Sequence, residues 1–370
     1  MSLKMSPKVC KYHKNQYICM NIFLSDIMDY HQYSQSPDPD KRAKYASWQA
    51  AKGLQAVDGL ETSPYLELVA GKNIEGDISA YQARELIDSY YEVKDDRDAE
   101  RKYEEADKVS ARINQLISET GFSLSSDELK TIHQRLFEGI FDHAGQYRKN
   151  NIIKYEWVLD GDTVTYGNAY NLETAIDNLL RQESLTLFRQ LNEEETVWHM
   201  ARFISSLWVL HPFSEGNTRT IAVFLIKYLH KMGFDINNSV FETNSRFFRD
   251  ALVRANYTNI KKKVYSDNDP LDRFFSNLLL GTDYELKSRY LHIKAEAPAV
   301  KAKMDTSSID STIERLISDN PQVSRKVMAD VCGVHVKTIE RHLAAMPHIR
   351  YVGPAKTGHW EIHKKAQPNG

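Results

Sequence analysis

The stretch His211–Arg219 reads His-Pro-Phe-Ser-Glu-Gly-Asn-Thr-Arg, and it lies between two apolar segments of the chain. In the first segment, Glu194–Leu210, apolar residues recur at helical spacing, which predicts an amphipathic helix. The second segment, Thr218–Met232, is apolar on nearly every side, and we expect it to form a helix at the centre of the core. The sequence therefore predicts a mainly α-helical protein with a short polar loop between two core helices.

The end of this loop is suited to binding an anion. The first turn of a helix has backbone N–H groups without an intrahelical partner, and the helix dipole adds positive potential there. Gly216, Asn217 and Thr218 would present these N–H groups, and a glycine lets the backbone approach a phosphate closely. Arg219 lies in the same turn, where the dipole disfavours a cation, so we expect it to serve an anionic ligand.

Other side chains of the loop suit phosphate chemistry. Glu215 offers hard oxygen ligands for a Mg²⁺ ion shared with phosphates. The imidazole of His211 can take a proton from an attacking hydroxyl. We expect the apolar Phe213 to anchor the loop in the core. Together these groups suit in-line attack on a metal-bound nucleotide phosphate, with positioning and charge neutralisation supplying most of the rate.

The stretch resembles the signature of the Fic family, His-x-Phe-x-Asp/Glu-Gly-Asn-x-Arg, and the similarity extends over residues 125–280. The resemblance implies a Fic-fold helical bundle with a β-hairpin flap. It also implies transfer of AMP from ATP to a Ser, Thr or Tyr hydroxyl of a protein, the chain itself included, with release of pyrophosphate. In that reaction His211 would be the general base, Glu215 the Mg²⁺ ligand, and Asn217 and Arg219 phosphate contacts.

Two positions depart from the pattern of many relatives. Thr218 stands where they have glycine, and Ala222 stands where they have a second arginine that grips the outer phosphates of ATP. The missing arginine leaves open a second interpretation, in which the domain senses a nucleotide and the chain is a DNA-binding transcriptional regulator with little or no turnover. The resemblance also suggests that Asn256 lies near the adenine, although an asparagine there equally suits the end of a helix.

A hairpin interrupts the helices ahead of this loop. Lys154–Leu159 and Thr163–Tyr166 are rich in aromatic and β-branched residues, and the Asp-Gly-Asp run Asp160–Asp162 separates them, which predicts two antiparallel strands. The hairpin resembles the flap with which Fic enzymes dock an extended segment of their target by main-chain pairing. Ile152 and Ile153 are candidates to clamp a target side chain, and core packing is the alternative for at least one of them.

Residues 43–92 resemble the small helical antitoxin unit that inhibits many Fic enzymes. Such a unit carries Ser/Thr-x-x-x-Glu-Gly, whose glutamate pairs with the second arginine of the signature and blocks productive ATP binding. Glu75, in Ile-Glu-Gly, is the better match, and Asp58, in Asp-Gly, is the alternative. Because Ala222 removes the expected partner, we predict an inhibition that is weaker or differently wired, with Glu75 facing Arg219, another cation or solvent.

The order of elements changes in residues 305–366. Three short helices followed by two strands are typical of a winged helix-turn-helix domain. The segment Pro321–Lys365 has eight Lys and Arg against three Asp and Glu, which suits contact with DNA phosphates. Lys337, Thr338 and Arg341 share one face of the expected recognition helix. A winged helix that docks a protein instead of DNA is the alternative.

The composition sets the remaining expectations. The chain has 370 residues, a net charge of −2 and three cysteines without metal-like pairing, which favours a reducing cytoplasm. No apolar run reaches the roughly 18 residues of a membrane span. We expect residues 1–42 to be disordered or an extension ahead of a natural start near Met28. Residues 93–290 would be the catalytic domain, with Glu92–Lys108 as a solvated linker helix. The sequence leaves open whether the protein is a homodimer.

Overall fold

The structure is a computed structural model of the chain, and it describes residues 31–92, 101–234, 236, 238–293, 306–319, 321–332, 336–353 and 358–363. The chain divides into two compact units, Met1–Ile293 and Lys294–Gly370, each with a hydrophobic core of its own. In the described part of the chain, every helix is too short or too polar to cross a bilayer. The predicted mainly α-helical fold is confirmed.

The first unit is a helical bundle. Its described helices are, in chain order, α1 His31–Ser34, α2 Pro39–Gly53, α3 Pro64–Glu75, α4 Ala80–Glu92, α5 Glu104–Ser118, α6 Ser126–Phe137, α7 Leu172–Ser184, α8 Glu193–Leu210, α9 Asn217–Lys231, α10 Ser239–Ala255 and α11 Asp269–Leu280. An antiparallel hairpin, β1 Tyr155–Glu156 and β2 Asp162–Thr163, lies between α6 and α7 in the sequence. The bundle thus carries the predicted hairpin ahead of α8 and α9, the two helices that flank the polar loop.

Helices α8 and α9 form as the sequence predicts. A reciprocal pair of bonds caps the start of α8, because Asn192 and Glu195 each accept the other's backbone N–H through the side chain. Every residue from Asn217 to Leu229 in α9 is buried, which confirms the prediction of a central core helix. Gly233, in the left-handed conformation with φ of 84°, follows its last turn.

The N-terminal helices begin earlier than the sequence predicts. At the start of α2 the side chain of Asp38 accepts the N–H of Asp40, and Pro39 occupies the first helical turn, where its missing N–H costs nothing. Because α1 and the start of α2 are helical, the expectation of disorder is corrected for residues 31–42, while the alternative of an extension stays a prediction. Residues 1–30, with the expected start near Met28, lie outside the described residues.

Asp107 on α5 anchors the N-terminal helices to the rest of the bundle. Its carboxylate accepts the backbone N–H of Ser63 at 2.9 Å, the hydroxyl of Ser63 at 2.5 Å and the hydroxyl of Tyr91 at 2.7 Å. Ala106 and Asp107 are fully buried, so the end of the predicted linker Glu92–Lys108 packs into the bundle, while Arg101 and Lys102 are exposed as predicted. The fold tolerates the burial of Asp107 because three donors bind its carboxylate.

The hairpin is shorter than the sequence predicts. Strands β1 and β2 pair over two residues each, in a register that sets Tyr155 opposite Thr163. The residues Trp157–Leu159 form a 3₁₀ turn instead of continuing the strand, because Val158 and Leu159 are buried in the core. The turn brings the chain back to β2 within a few residues.

The second unit holds the remaining described elements: α12 Thr306–Asp319, α13 Arg325–Cys332, α14 Val336–Ala345 and the antiparallel strands β3 Ile349–Val352 and β4 His359–Ile362. Their order is the one that the sequence predicts. Trp360 on β4 is buried, and its indole N–H donates to the carbonyl of Val323 just ahead of α13. This bond ties the strand pair to the helices of the unit.

Candidate active site

His211 follows the last residue of α8 and has a left-handed backbone with φ of 49°. Only 4% of its surface is exposed, and neither ring nitrogen has a hydrogen-bond partner among the described residues. The centroid of its ring lies 4.3 Å from that of Tyr166 and 5.5 Å from that of Trp208. Leaving a buried imidazole unpaired costs free energy, and such groups in native proteins usually have a functional reason.

Burial is the main cause that lowers the pKa of His211 well below its ordinary value of 6.5. The positive charges of Lys154, Arg148 and Arg249 act in the same direction. The imidazole is therefore neutral at neutral pH, and one ring nitrogen has a lone pair that can accept a proton.

Arg148 holds the backbone around His211. Its Nε donates to the carbonyl of His211 at 2.7 Å, and its backbone N–H donates to the carbonyl of Pro212 at 2.8 Å. Its Nη2 donates to the carbonyls of Gly167 and Leu210. A left-handed conformation costs a residue other than glycine roughly 1 kcal/mol or more, and the bonds from Arg148 offset that cost.

Hydrogen bonds between residues of the loop hold the segment between α8 and α9 in shape. The side chain of Asn217 accepts the backbone N–H of Phe213 at 2.9 Å and donates to the carbonyl of the same residue at 2.7 Å. Phe213 is fully buried, and its ring stacks on His133 with the centroids 3.8 Å apart. The prediction that Phe213 anchors the loop is confirmed. The side chain of Asn217 closes the loop, so its backbone N–H is the group left to meet a phosphate.

His133 on α6 supports the loop through a fixed tautomer. Its Nδ1 accepts the backbone N–H of Gly145 at 2.8 Å, so the proton lies on Nε2, which donates to the carbonyl of Glu215 at 3.1 Å. Burial lowers the pKa of His133 to about 4. A second proton, on Nδ1, would face the N–H of Gly145, so the neutral form is the one that fits.

We expect the protein to lose stability on acidification because of His133. The unfolded chain binds the proton at pH 6.5 and the folded one at about pH 4, so the unfolded state is favoured as pH falls between these values. The full effect is about 3 kcal/mol in the free energy of unfolding. Urea titrations at neutral pH and at about pH 5 measure the part that falls between these pH values, about 2 kcal/mol. If His133→Gln loses as much stability on acidification as the wild type, another group is responsible.

Gly216 shapes the start of α9. Its φ is 72°, and a Cβ atom there would lie 2.4 Å from a ring carbon of Phe137. Only glycine fits, because the backbone is left-handed and a side chain would collide with Phe137. The hydroxyl of Thr218 accepts the indole N–H of Trp208 at 3.0 Å, so the threonine that stands where many relatives have glycine contacts the core.

Glu215 is the exposed acid of the loop, with 57% of its side chain accessible, and its Oε2 lies 2.8 Å from Nζ of Lys154. The described residues contain no group of three His, Cys, Asp or Glu side chains that could hold a metal ion. A Mg²⁺ ion at Glu215 would take one carboxylate from the protein and its other ligands from phosphates and water, a common arrangement for this ion. The residues present fit a metal that arrives with a nucleotide.

Arg219 is 2% exposed and contacts two other segments of the chain. Its Nε forms an ion pair with Oδ2 of Asp58 at 2.8 Å, and its Nη2 donates to Oε1 of Glu105 at 2.8 Å. Its Nη1 donates to Oε1 of Gln55 at 3.1 Å. The guanidinium also lies over the ring of Phe137, 4.8 Å from the centroid. The predicted phosphate contact is thus held by carboxylates of the protein itself.

The two candidate inhibitory acids lie in different places. Glu75 accepts the hydroxyl of Tyr33 and the ammonium of Lys41, each at 2.5 Å, and these bonds lower its pKa. It therefore faces another cation, one of the three outcomes left open by the sequence. Asp58 ends the 3₁₀ turn after α2 and is the acid that contacts Arg219.

The hairpin is fixed to the helices at both strands. The buried Glu156 on β1 pairs with Arg249 at 2.9 Å and accepts the hydroxyl of Tyr166 at 3.0 Å. On β2, Asp162 accepts the hydroxyl of Tyr257 at 2.6 Å. Since Tyr166 also lies against the His211 ring, the same residues that hold the hairpin flank the candidate base.

The other predicted site residues of the first unit lie near these elements. Ile153 is 69% exposed and Ile152 is partly buried, both just ahead of β1. Asn256 follows α10, and its amide donates to the carbonyl of Leu252 at 2.9 Å and to the hydroxyl of Ser205 at 2.8 Å. The cap at the end of the helix, the alternative for Asn256, is therefore present.

The predicted DNA-binding residues lie on α14 of the second unit. Lys337 and Arg341 are exposed there, and Thr338 is partly buried. All three lie within about one turn of the helix, so the face that they share is basic and accessible.

Sequence reasoning missed several residues of the site. His133 and Arg148 support the loop from 82 and 63 residues away in the sequence, and no local pattern marks either of them. Gln55 and Glu105 hold Arg219 from 164 and 114 residues away in the sequence. Of these residues, only Lys154 belonged to a predicted element, the strand Lys154–Leu159. Nothing in the sequence predicted its contact with Glu215.

The central segment is similar to known proteins. The model of the Fic/DOC family matches residues 123–229. A protein adenylyltransferase from Bartonella schoenbuchensis is 23% identical over 211 residues, which cover 52% of this chain and 42% of that protein. A probable protein adenylyltransferase from Sinorhizobium fredii is 30% identical over 129 residues, 34% of this chain and 62% of that protein. The chain thus spans less than two thirds of the length of either relative.

Two solved structures match this chain with TM-scores below 0.5. One is a Fic family protein from Desulfovibrio desulfuricans, with a TM-score of 0.42, 11% identity and coverage of 99% of this chain and 98% of that one. The other is the BepC protein of Bartonella tribocorum with bound AMPPNP, with a TM-score of 0.38, 19% identity and coverage of 51% and 89%.

Proposed function

We propose that the chain is a protein adenylyltransferase, starting from the match of the Fic/DOC family model to residues 123–229. It would transfer AMP from ATP to a Ser, Thr or Tyr hydroxyl of a protein, the chain itself included. The observation that carries the proposal is the state of His211, a neutral and buried imidazole whose ring nitrogens have no partner among the described residues. It precedes the start of α9 by only a short loop, so a phosphate held at that helix start would lie near a base.

The proposed reaction is an in-line displacement at the α-phosphorus of ATP. The oxygen of the target hydroxyl forms the new bond to phosphorus, the bond to pyrophosphate breaks, and His211 takes the hydroxyl proton. Backbone N–H groups of Gly216, Asn217 and Thr218 would hold the phosphate, where their fixed dipoles stabilise the developing charge. Arg148 and His133 keep the loop in the shape that this requires.

Glu215 would hold a Mg²⁺ ion together with the nucleotide. When bound, such an ion neutralises phosphate charge and orients the leaving group. The support for this role is the exposed carboxylate of Glu215 beside the helix start, and a protein that supplies one carboxylate suits a metal shared with phosphates.

The hairpin is the proposed docking site for the target. An extended segment of the target would pair with its main chain, and this mode demands little of the target's sequence. The exposed Ile153 can contact a target side chain, while Glu156 and Asp162 fix the hairpin to the helices. A rigid dock of this kind would hold the target hydroxyl near His211 at low entropic cost.

Position-specific labelling tests this function. The purified chain is incubated with Mg²⁺ and ATP that carries radioactive phosphorus at the α- or at the γ-position. We expect protein-bound label from the α-position alone, and mass spectrometry should find AMP on the modified residue. Label from the γ-position would identify a phosphotransferase instead. If a nucleotide binds but neither label is transferred, the regulator interpretation replaces the enzymatic one.

We further propose that Asp58, and not Glu75, restrains the enzyme. The ion pair with Asp58 and the bond to Glu105 occupy Arg219, which the family signature assigns to phosphate. A nucleotide that needs this arginine must compete with carboxylates of the same chain. The restraint would therefore act on Arg219, the arginine of the signature. Inhibition of this kind does not require the second arginine that many relatives have at the position of Ala222.

DNA binding by the second unit is a second candidate function, and the exposed cations on α14 favour it. We expect the full chain to bind a DNA duplex more weakly after Arg341→Ala, with the slope of log affinity against log salt reduced by about 1. Fluorescence anisotropy at several salt concentrations measures this slope. Arg315→Ala, on the exposed side of α12, is the matched control. Equal effects of the two substitutions, or an absence of binding by the wild type, would contradict the proposal.

A further inference from the structure

The three cations around His211 differ in how strongly partners within the protein hold them. Arg148 is buried and donates to backbone carbonyls that shape the loop. Arg249 pairs with the buried carboxylate of Glu156, which would be left uncompensated without it. Lys154 pairs only with an exposed carboxylate among its described contacts, that of Glu215. Of these three cations, Lys154 is the one that a ligand can take over at small cost.

Glu215, the partner of Lys154, gives a second reason to expect that a ligand can take over this lysine. Glu215 is the proposed ligand of a metal that arrives with the nucleotide, so binding would draw its carboxylate toward that metal. An ion pair between solvent-accessible side chains is weak, and 24% of the Lys154 side chain is itself accessible. The ammonium would then be left beside the phosphates, on a flexible stem with three donors that suit phosphate oxygens.

A triphosphate bound here needs a cation beyond those of the loop. Arg219 is buried against Asp58 and Glu105, and Ala222, one turn further along α9, is fully buried and uncharged. The backbone N–H groups at the start of α9 carry partial charges only, enough for one phosphate group. The outer phosphates of ATP carry most of its charge, so their neutralisation falls to a residue outside this helix.

We propose that Lys154 of the hairpin contacts the outer phosphates of ATP, exchanging its ion pair with Glu215 for the triphosphate. The inference rests on the proposed function and extends it to the choice of nucleotide. The hairpin would then do two things, because the residue just ahead of β1 holds the nucleotide while the strands dock the target. The lowered pKa of His211, to which the charge of Lys154 contributes, is consistent with a lysine that faces the site.

Isothermal titration of ATP and of AMP, each with Mg²⁺, tests the proposal. In Lys154→Ala we expect the affinity for ATP to fall about tenfold to a hundredfold, while the affinity for AMP changes less than about threefold. Lys154→Arg should retain most of the affinity for ATP, because it keeps the charge. The exposed Lys149→Ala, five residues away and outside the ion pair, should match the wild type for both nucleotides.

The outcomes separate the inference from the proposed function. Equal weakening of ATP and AMP would mean that Lys154 only positions the hairpin, and unchanged ATP affinity would exclude the contact. A wild-type chain that binds neither nucleotide would overturn the proposed function itself. Thermal unfolding of each variant shows whether it is folded. The titrations are repeated in the Asp58→Ala background, where Arg219 is less occupied, and the same selective loss of ATP affinity is expected.

Discussion

Replacement of His211 by alanine is expected to reduce the transfer of α-phosphate label to protein by roughly 10²- to 10⁴-fold, the range that a positioned general base contributes. The substitution removes the proposed proton acceptor but leaves the proposed phosphate cradle in place, because backbone N–H groups would form that cradle. Nucleotide affinity should therefore change little, and the loss should appear in the rate of transfer at saturating ATP. Initial rates of label incorporation at several ATP concentrations measure both quantities.

A loss of transfer in His211→Ala is informative only if the variant protein folds. The bonds that Arg148 makes to the carbonyls of residue 211 and of Pro212 do not depend on the imidazole, so we expect His211→Ala to fold. His199→Ala on the same helix removes an imidazole that pairs with Glu183 and serves as the matched variant, with transfer expected to persist. Transfer by a folded His211→Ala protein at the wild-type rate would remove the base from the mechanism.

Replacement of Asp58 by alanine is expected to raise self-modification by roughly 5- to 150-fold, the range of coupling between two sites that compete for one group. The substitution removes the ion pair at 2.8 Å from Nε of Arg219, while Gln55 and Glu105 keep their bonds to the guanidinium. The arginine should then turn toward a phosphate more readily, so the affinity for ATP should rise as well. Initial rates of label incorporation and titrations with ATP measure the two effects.

The second candidate acid provides the matched comparison. Glu75→Gln also weakens a carboxylate–cation contact in the N-terminal helices, the pair with Lys41, and leaves the surroundings of Arg219 unchanged. We expect its self-modification to equal that of the wild type. The reverse result, a rise for Glu75→Gln and none for Asp58→Ala, would restore the preference that the sequence pattern gave to Glu75.

The features that local patterns encode were predictable from the sequence. The periodicity of Glu194–Leu210 and the continuous apolar character of the next segment gave both central helices to within one residue. The ends of the two helices also fixed the loop between them. The burial of Phe213 was predictable because it is the lone apolar residue among polar ones. These features depend on neighbours in the chain, and that is the information that periodicity carries.

The rest of the site depends on contacts between distant segments. His133 and Arg148 support the loop only because α6 and the segment ahead of the hairpin pack against it, and neither has a distinctive neighbour in the sequence. The choice between Asp58 and Glu75 shows the same limit. Glu75 fits the family pattern better, but the packing of α2 and its 3₁₀ turn brings Asp58 to Arg219. A pattern of residue types cannot show which of two acids the fold brings to Arg219.

The attachment of Asp58 to the chain that carries Arg219 has a consequence for how the restraint can be lifted. A separate inhibitory protein dissociates on dilution or when its synthesis stops, and the enzyme is then set free. Here the effective concentration of the acid is fixed by the covalent connection, so neither dilution nor a change in expression alters it. The cellular level of ATP, or cleavage between the two segments, would have to act in place of a partner's departure.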